Sequence, residues 1–248
     1  MDKQLQQGQS MRSCKWWLAF SNAWVLACVL YAHSTFAVVN IDKTRIIFSA
    51  SESSQTLNLK NSPDNPTIVQ IWSDDGDIMQ SPTLTRTPVF AMPPVMKLLP
   101  DEQRVIRLML LSQHSLPMDK ESLYWLNLYQ IPALAKETSH AERKVVLPLR
   151  LRLKVFIRPA ALTAPTQQDV QRLRFESRNQ LLTIVNPTPW FMSLRLQIEP
   201  NKMINNIMVA PKGNYTLPLK KPLKINEKIS FEVFDDNGNP VRYFAHLH

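Results

Sequence analysis

Along most of the chain, apolar and polar residues alternate singly rather than at helical spacing. The stretch "RKVVLPLRLRLKVFIRP" (143–159) shows this most strongly: Val145, Leu147, Leu149, Leu151 and Leu153 share one parity, while Arg150, Arg152 and Lys154 share the other. A period of two sends successive side chains to opposite faces of a strand, so one face is aliphatic and the other basic. Pro148 lies inside the run, and proline in a sheet belongs at an edge or a bulge. An aliphatic edge strand invites pairing with another chain unless something covers it.

Shorter runs of the same kind precede it from Val38 onward: "VNIDKTRIIFSA", "QTLNLKN", "PTIVQIWSDD", "FAMPPVMKLLP", "QRVIRLMLLS" and "SLYWLNLYQIP". Many contain β-branched, aromatic or alternating apolar positions, and "NSPDNP", "SDDGD", "LPDEQ" and "LPMDKES" supply the turns between them. Together with the 143–159 stretch this predicts seven strands in roughly 120 residues, the count of an immunoglobulin-like sandwich. "RPAALTAPTQQD" (158–169) then breaks the pattern with proline and small residues and predicts a stiff interdomain joint. A second β region follows in "VQRLRFES", "QLLTIVNPTPWFMSLRLQI", "NIMVAP", "YTLPLKK" and "KISFEVFDDNGNPVRYFAHL", with "DDNG" as a hairpin turn between its last two strands. No sustained helical periodicity is present, so the expected fold class is all-β.

The first residues belong to a different pattern. Arg12 and Lys15 precede the apolar run "WWLAFSNAWVLACVLYA", which "HSTFA" closes with small residues. That order predicts a secretory signal peptide over 1–37, cut after Ala37, with Met11 as an alternative start. An uncleaved anchor is the rival, disfavoured by Ser21 and Asn22 within a run that is short for a membrane span. The remaining domains are expected over 38–160 and 161–248.

Composition changes the picture in two places. Both cysteines, Cys14 and Cys28, fall in the segment expected to be removed, so the mature chain would enter an oxidising compartment with no thiol for a disulfide or a zinc site. The net charge is +9; the leader holds Lys3, Arg12 and Lys15 against Asp2, so the remainder keeps about +7. Secretion argues against nucleic acid, and apart from 150–158 and "LKKPLK" (219–224) the cations are dispersed over the surface.

No catalytic signature appears: there is no G-x-S-x-G, H-E-x-x-H, phosphate-binding glycine loop or C-x-x-C. His114, His140, His246 and His248 are scattered, and Asp74, Asp75 and Asp77 in "DDGD" read as a turn rather than a calcium loop. An enzyme is not expected.

Taken in order, "VNIDKTRIIF", "FAMPPVMKLLP", "KESLYWLNLYQIP", "LKVFIRPAAL", "LTIVNPTPWFMSL" and "FDDNGNPV" resemble the periplasmic chaperones of the chaperone–usher pathway, which assemble fimbriae and pili in Gram-negative bacteria. The resemblance spans the whole expected mature chain. It implies two immunoglobulin-like domains in a boomerang arrangement, located in the periplasm and needing no cofactor or metal. The partners it implies are pilus subunits and an outer-membrane usher, with a self-capping dimer in the absence of a client.

It also implies roles for particular residues. Arg45 and Lys154 match a basic pair that anchors the C-terminal carboxylate of a subunit, a task suited to a planar fork beside a point charge. Val145, Leu147 and Leu149, continued by Leu151, match the positions of a strand lent to a subunit that lacks its own last strand. Glu121, Arg158 and Asp236 match an interdomain ion network, with Asp235 as the alternative partner. Met92–Pro93 matches a cis-proline, Asn186 and Pro187 a turn in the second domain, and Trp190 and Phe191 its core. Two departures stand out: no disulfide can form in the second domain, and the 133–144 segment is of modest length, as in the short-loop subfamily that builds rod-like pili. The rival reading, from a different class, is a secreted two-domain adhesin or carbohydrate-binding module with exposed aromatics near loop tips. A secreted hydrolase would require a nucleophile–base pattern that is missing.

Overall fold

The alternation of buried and exposed positions builds two β-sandwiches with separate cores. The structure, a computed structural model, describes residues 39–49, 52–83, 86–111, 116–132, 147–199, 202–224 and 226–248. The expected signal peptide, Val145 and the 133–144 segment lie outside the described residues. Strands are numbered in chain order.

In the first sandwich one sheet runs in the order β1 (Val39–Ile41), β3 (Ser54–Asn61), β7 (Gln103–Leu110) and β5 (Val89–Met92). The other runs β2 (Arg45–Phe48), β9 (Leu149–Ile157), β8 (Ser122–Pro132), β4 (Thr67–Asp74) and β6 (Val95–Leu98). Phe48, Leu57, Leu59, Val69, Leu98, Ile106, Leu108, Leu126, Leu128 and Val155 meet between them, all fully buried. Each such side chain contributes about 1.5–3 kcal/mol of burial.

Among the described residues nine strands form here instead of the expected seven, because two of the runs switch sheets midway. In "VNIDKTRIIF", β1 and β2 lie in opposite sheets, and Asp42 pins the crossover by accepting from Asn58 N at 2.9 Å and Asn58 Nδ2 at 2.5 Å. In "FAMPPVMKLLP" the same happens between β5 and β6, where the Met92–Pro93 peptide is cis. At both crossovers the buried positions change parity, from Val39 to Ile46 and Phe48 and from Val89 and Ala91 to Met96 and Leu98.

The second sandwich begins at a four-residue helix, α1 (Gln167–Val170), where periodicity predicts none. It is closed by a capping box in which Thr166 and Asp169 bond each other's backbone N–H. One sheet has the order β10 (Arg174–Arg178), β11 (Leu181–Asn186) and β14 (Gly213–Pro218); the other has β13 (Lys202–Val209), β12 (Met192–Glu199), β15 (Lys228–Phe234) and β16 (Pro240–His246). Phe175, Leu182, Ile184, Leu196 and Phe231 fill the space between them.

The Asn186-Pro187-Thr188-Pro189 turn divides β11 from β12. Asn186 is fully buried and donates to the carbonyls of Trp190, Val209 and Ala210, while its oxygen accepts from Thr188 N and Oγ1. A buried amide this fully satisfied fixes the loop. Trp190 is buried and donates from Nε1 to Thr163 O at 2.9 Å; Phe191 is only half-buried and packs on Phe156 of the first sandwich at 6.1 Å between ring centroids.

Candidate functional site

The backbone of β9 is covered unequally on its two sides. Toward β8 it is paired antiparallel along its whole length, from Leu149 opposite Gln130 to Ile157 opposite Ser122. Toward β2 it is paired only from Lys154 to Ile157, in parallel with Arg45 to Phe48. Among the described residues, 149–153 therefore present a free strand edge. Their core-facing side chains grade along the same axis: Leu147 is 75% exposed, Leu149 38%, Leu151 half-buried and Leu153 8%. The outer half of this face is available to a partner, and the inner half already belongs to the core.

The free edge ends at Arg45 and Lys154, which stand opposite each other in the β2–β9 pairing. Among the described residues neither takes part in a salt bridge. Lys154 Nζ donates to Ser193 Oγ at 3.0 Å, and Arg45 Nη1 donates to Phe234 O at 3.3 Å with its guanidinium 5.7 Å from the Phe234 ring centroid. Arg45 Nε is buried without a hydrogen-bond partner. Burial, and then the neighbouring Arg45, push the Lys154 ammonium down to about 8. Burial also lowers Arg45, against the opposing pull of Asp235, Asp236 and Glu121. Two partly desolvated cations that make no salt bridge among the described residues can hold an anion, and a carboxylate suits the fork and point charge they present.

The opposite face of β9 is tied down. Arg152 Nη2 donates to the fully buried Asp74 Oδ1 at 2.6 Å, Asn127 Nδ2 donates to Asp74 Oδ2 at 2.6 Å, and Arg150 Nε donates to Asn127 Oδ1 at 2.9 Å. Arg150 lies over Trp72 and Arg152 over Trp125, at 4.9 and 4.7 Å from the ring centroids. The basic parity is thus partly compensated up to Arg152, two arginines sharing the one Asp74 carboxylate, whereas Lys154 makes no salt bridge among the described residues. Asp74 takes a structural place here, whereas the sequence pattern puts it only in a turn.

Glu121, Arg158 and Asp236 are brought together at the junction of the sandwiches. Arg158 donates to Glu121 Oε1 from Nε at 2.9 Å and Nη2 at 2.7 Å, and it also bonds Asp236. Glu121 Oε2 accepts from Phe191 N at 3.0 Å, and burial pushes its carboxyl above the usual range even with Arg158 beside it. Asp235 is not part of this cluster; it caps its own turn by accepting from Asn237 N and Asn239 N. Gly238, at φ +87°, packs so closely on Thr44 that a Cβ there would overlap the threonine hydroxyl. Ser193 and the Phe234 carbonyl are partners of Lys154 and Arg45 that sequence reasoning missed. A hydroxyl in an alternating strand and a backbone oxygen carry no signature.

Comparison with known proteins places the chain in a family. Residues 38–163 match the family model described as pili and flagellar-assembly chaperone, PapD N-terminal domain, and residues 168–245 match pili assembly chaperone PapD, C-terminal domain. The probable fimbrial chaperone YadV of Escherichia coli strain K12 is 31% identical over 233 residues, covering 90% of this chain and 95% of its own. Chaperone protein FimC of the same strain is 28% identical over 204 residues, 82% of this chain and 81% of its own. Among solved structures, the CupB2 chaperone of Pseudomonas aeruginosa superposes with a TM-score of 0.68 at 27% identity, over 84% of this chain and all of that one. The Salmonella enterica SafB chaperone, solved with SafA pilin, shares the fold with a TM-score of 0.73 at 24% identity, over 87% of this chain and 99% of that one.

Proposed function

We propose that this chain, which belongs to the pili assembly chaperone family, lends the free edge of β9 to a pilus subunit that lacks its own final strand. The observation that carries this reading is that the edge at 149–153 runs directly into the Arg45–Lys154 pair. A subunit would add its strand along 149–153, seat Val145, Leu147 and Leu149 in its groove, and place its terminal carboxylate between the two cations. Three such side chains at about 1.5–3 kcal/mol each supply roughly 5–9 kcal/mol before ordering costs. Each charge-assisted contact to the carboxylate adds about 1.5–3 kcal/mol. Glu121, Arg158 and Asp236 hold the two sandwiches in the orientation this requires.

In this reading the protein works in the periplasm after losing residues 1–37, spends no nucleotide, and passes its client to an outer-membrane usher. There a second subunit's extension replaces β9, driven by subunit folding that stays incomplete until the exchange. Without a client, the free edge favours a self-capped dimer. Family membership replaces the adhesin alternative.

The test is a periplasmic pull-down from the native host with the wild-type chain beside an Arg45→Ala, Lys154→Ala double variant, read by mass spectrometry. Wild type retains a small β-rich subunit and the variant loses it. Equal capture by both would reduce the pair to surface charge.

A further inference from the structure

Neither cation of the anchor makes a side-chain hydrogen bond within its own sandwich among the described residues. Among the described residues, the side-chain hydrogen bonds of Lys154 and Arg45 go to Ser193 on β12 and to the carbonyl of Phe234 on β15, both in the second sandwich. Ser193 is buried, and its own proton is directed at Met208 Sδ, 3.7 Å away, a weak acceptor. Its stronger engagement is therefore as the acceptor for Lys154. The groups around the ammonium are Arg45 on β2, the Trp125 ring on β8 at 5.9 Å, and Ser193 on β12; Asp235, Asp236 and Glu121 act on Arg45. A lysine on a flexible stem beside another cation lowers its energy by swinging away into water. Something must hold it in place.

We infer that Ser193 is a positioning residue of the carboxylate anchor: its hydroxyl holds the Lys154 ammonium beside Arg45, so the anchor is complete only while the two sandwiches are docked. The inference rests on the proposed carboxylate site and adds its control. The donor edge belongs to the first sandwich alone, but the charge pair at its end is set by the second. Disturbing the docking at Arg158 or Gly238 would then weaken client capture without touching β9.

The experiment uses the whole chain with 13C-labelled lysine, reading the Lys154 ε-carbon by NMR through a pH titration, with sodium acetate as the carboxylate probe against sodium chloride at equal ionic strength. In wild type, acetate raises the Lys154 midpoint above its value in chloride. Ser193→Ala frees the ammonium to leave Arg45 for water, so its chloride midpoint rises toward the ordinary 10.5, by about one unit or more, and its acetate response weakens. Ser193→Thr, which keeps a hydroxyl, restores both. Wild-type behaviour of Ser193→Ala in midpoint and acetate response overturns the role of Ser193, and so does a lowered midpoint or failure of Ser193→Thr to restore the wild-type values. If acetate and chloride are indistinguishable in wild type and in Arg45→Ala alike, the carboxylate site itself is wrong, and the inference falls with it.

Discussion

Arg158 grips Asp236 through two parallel hydrogen bonds across the junction of the sandwiches, Nη1 to Oδ2 at 2.9 Å and Nη2 to Oδ1 at 3.0 Å. The same guanidinium is bonded twice to Glu121 from its other side. The two carboxylates differ in setting: the Glu121 side chain is 2% exposed and that of Asp236 35%. Removing one partner of a buried pair strands a desolvated charge and costs roughly 3–5 kcal/mol, whereas an ion pair at the rim is worth about 1 kcal/mol or less. Glu121→Ala is therefore expected to destabilise far more than Asp236→Ala, by urea unfolding followed through tryptophan fluorescence. Equal losses would mean that the junction does not distinguish its two acids.

Gly238 tests the same junction through sterics. At φ +87° an alanine is strained wherever it points, and here its Cβ would also run into Thr44. Gly238→Ala is expected to lower stability by about 1–3 kcal/mol. The double variant with Thr44→Ala should recover the part due to collision and leave the part due to φ. Full recovery would show the backbone strain to be negligible.

The exposure gradient along β9 separates binding from stability. Leu149→Lys alters a side chain already 38% in water, so free-protein stability should barely change while client capture is lost. Leu153→Ala empties a core position and should cost about 2–5 kcal/mol of stability. Thermal unfolding beside subunit capture distinguishes the two, and a Leu149→Lys protein that still holds its subunit would remove this edge from the binding surface.

Period-two alternation makes most of the strands legible, because each has one face on a core. It fails where a single run changes sheets midway, as at Asp42 and at Met92–Pro93: the buried parity flips there, but a flip does not say which sheet the next strand joins. Arg45 and Lys154 stand out by their motif context, yet nothing in either motif indicates that they face each other. Parallel pairing of residues more than a hundred positions apart is a tertiary property. Ser193, Phe234 and Asp74 were invisible for the same reason: each acts through what the fold places against it.

Lys154 gives the site a pH dependence whose sign can be worked out. Its folded-state value is about 8, below the ordinary lysine value of 10.5, so between these limits the unfolded chain binds more protons than the folded one. This residue's penalty on folding is full below pH 8 and fades as pH rises toward 10.5. Carboxylate capture runs the other way: it is complete below pH 8 and weakens about tenfold per unit above it, as the ammonium loses its proton. Subunit affinity measured from pH 7 to 9.5 should fall in wild type and stay flat in Lys154→Met. A flat wild-type profile would show that Lys154 does not contact the client as a cation.

Asp74 fastens the basic face of β9, and under the proposed reading it prepares the edge offered to a client. Its buried carboxylate takes Arg152, Asn127 and the Gly76 amide at 2.6, 2.6 and 2.8 Å, with Arg150 Nη2 at 3.6 Å, while both arginines rest on tryptophan faces. One face of β9 is thereby fixed to β4 and β8, while the leucines of the other remain partly free. A strand already ordered loses less entropy when a subunit pairs with it. Asp74→Asn keeps the shape but withdraws the one negative charge that Arg150 and Arg152 share, so β9 should open more readily. Amide hydrogen exchange at 150–153 is expected to quicken about tenfold or more, the factor that corresponds to losing one hydrogen bond to a charged group, while β7 in the opposite sheet is unchanged. Subunit capture should weaken in parallel. Unchanged exchange at 150–153 would show that tryptophan stacking alone holds the arginines, leaving Asp74 no part in preparing the edge.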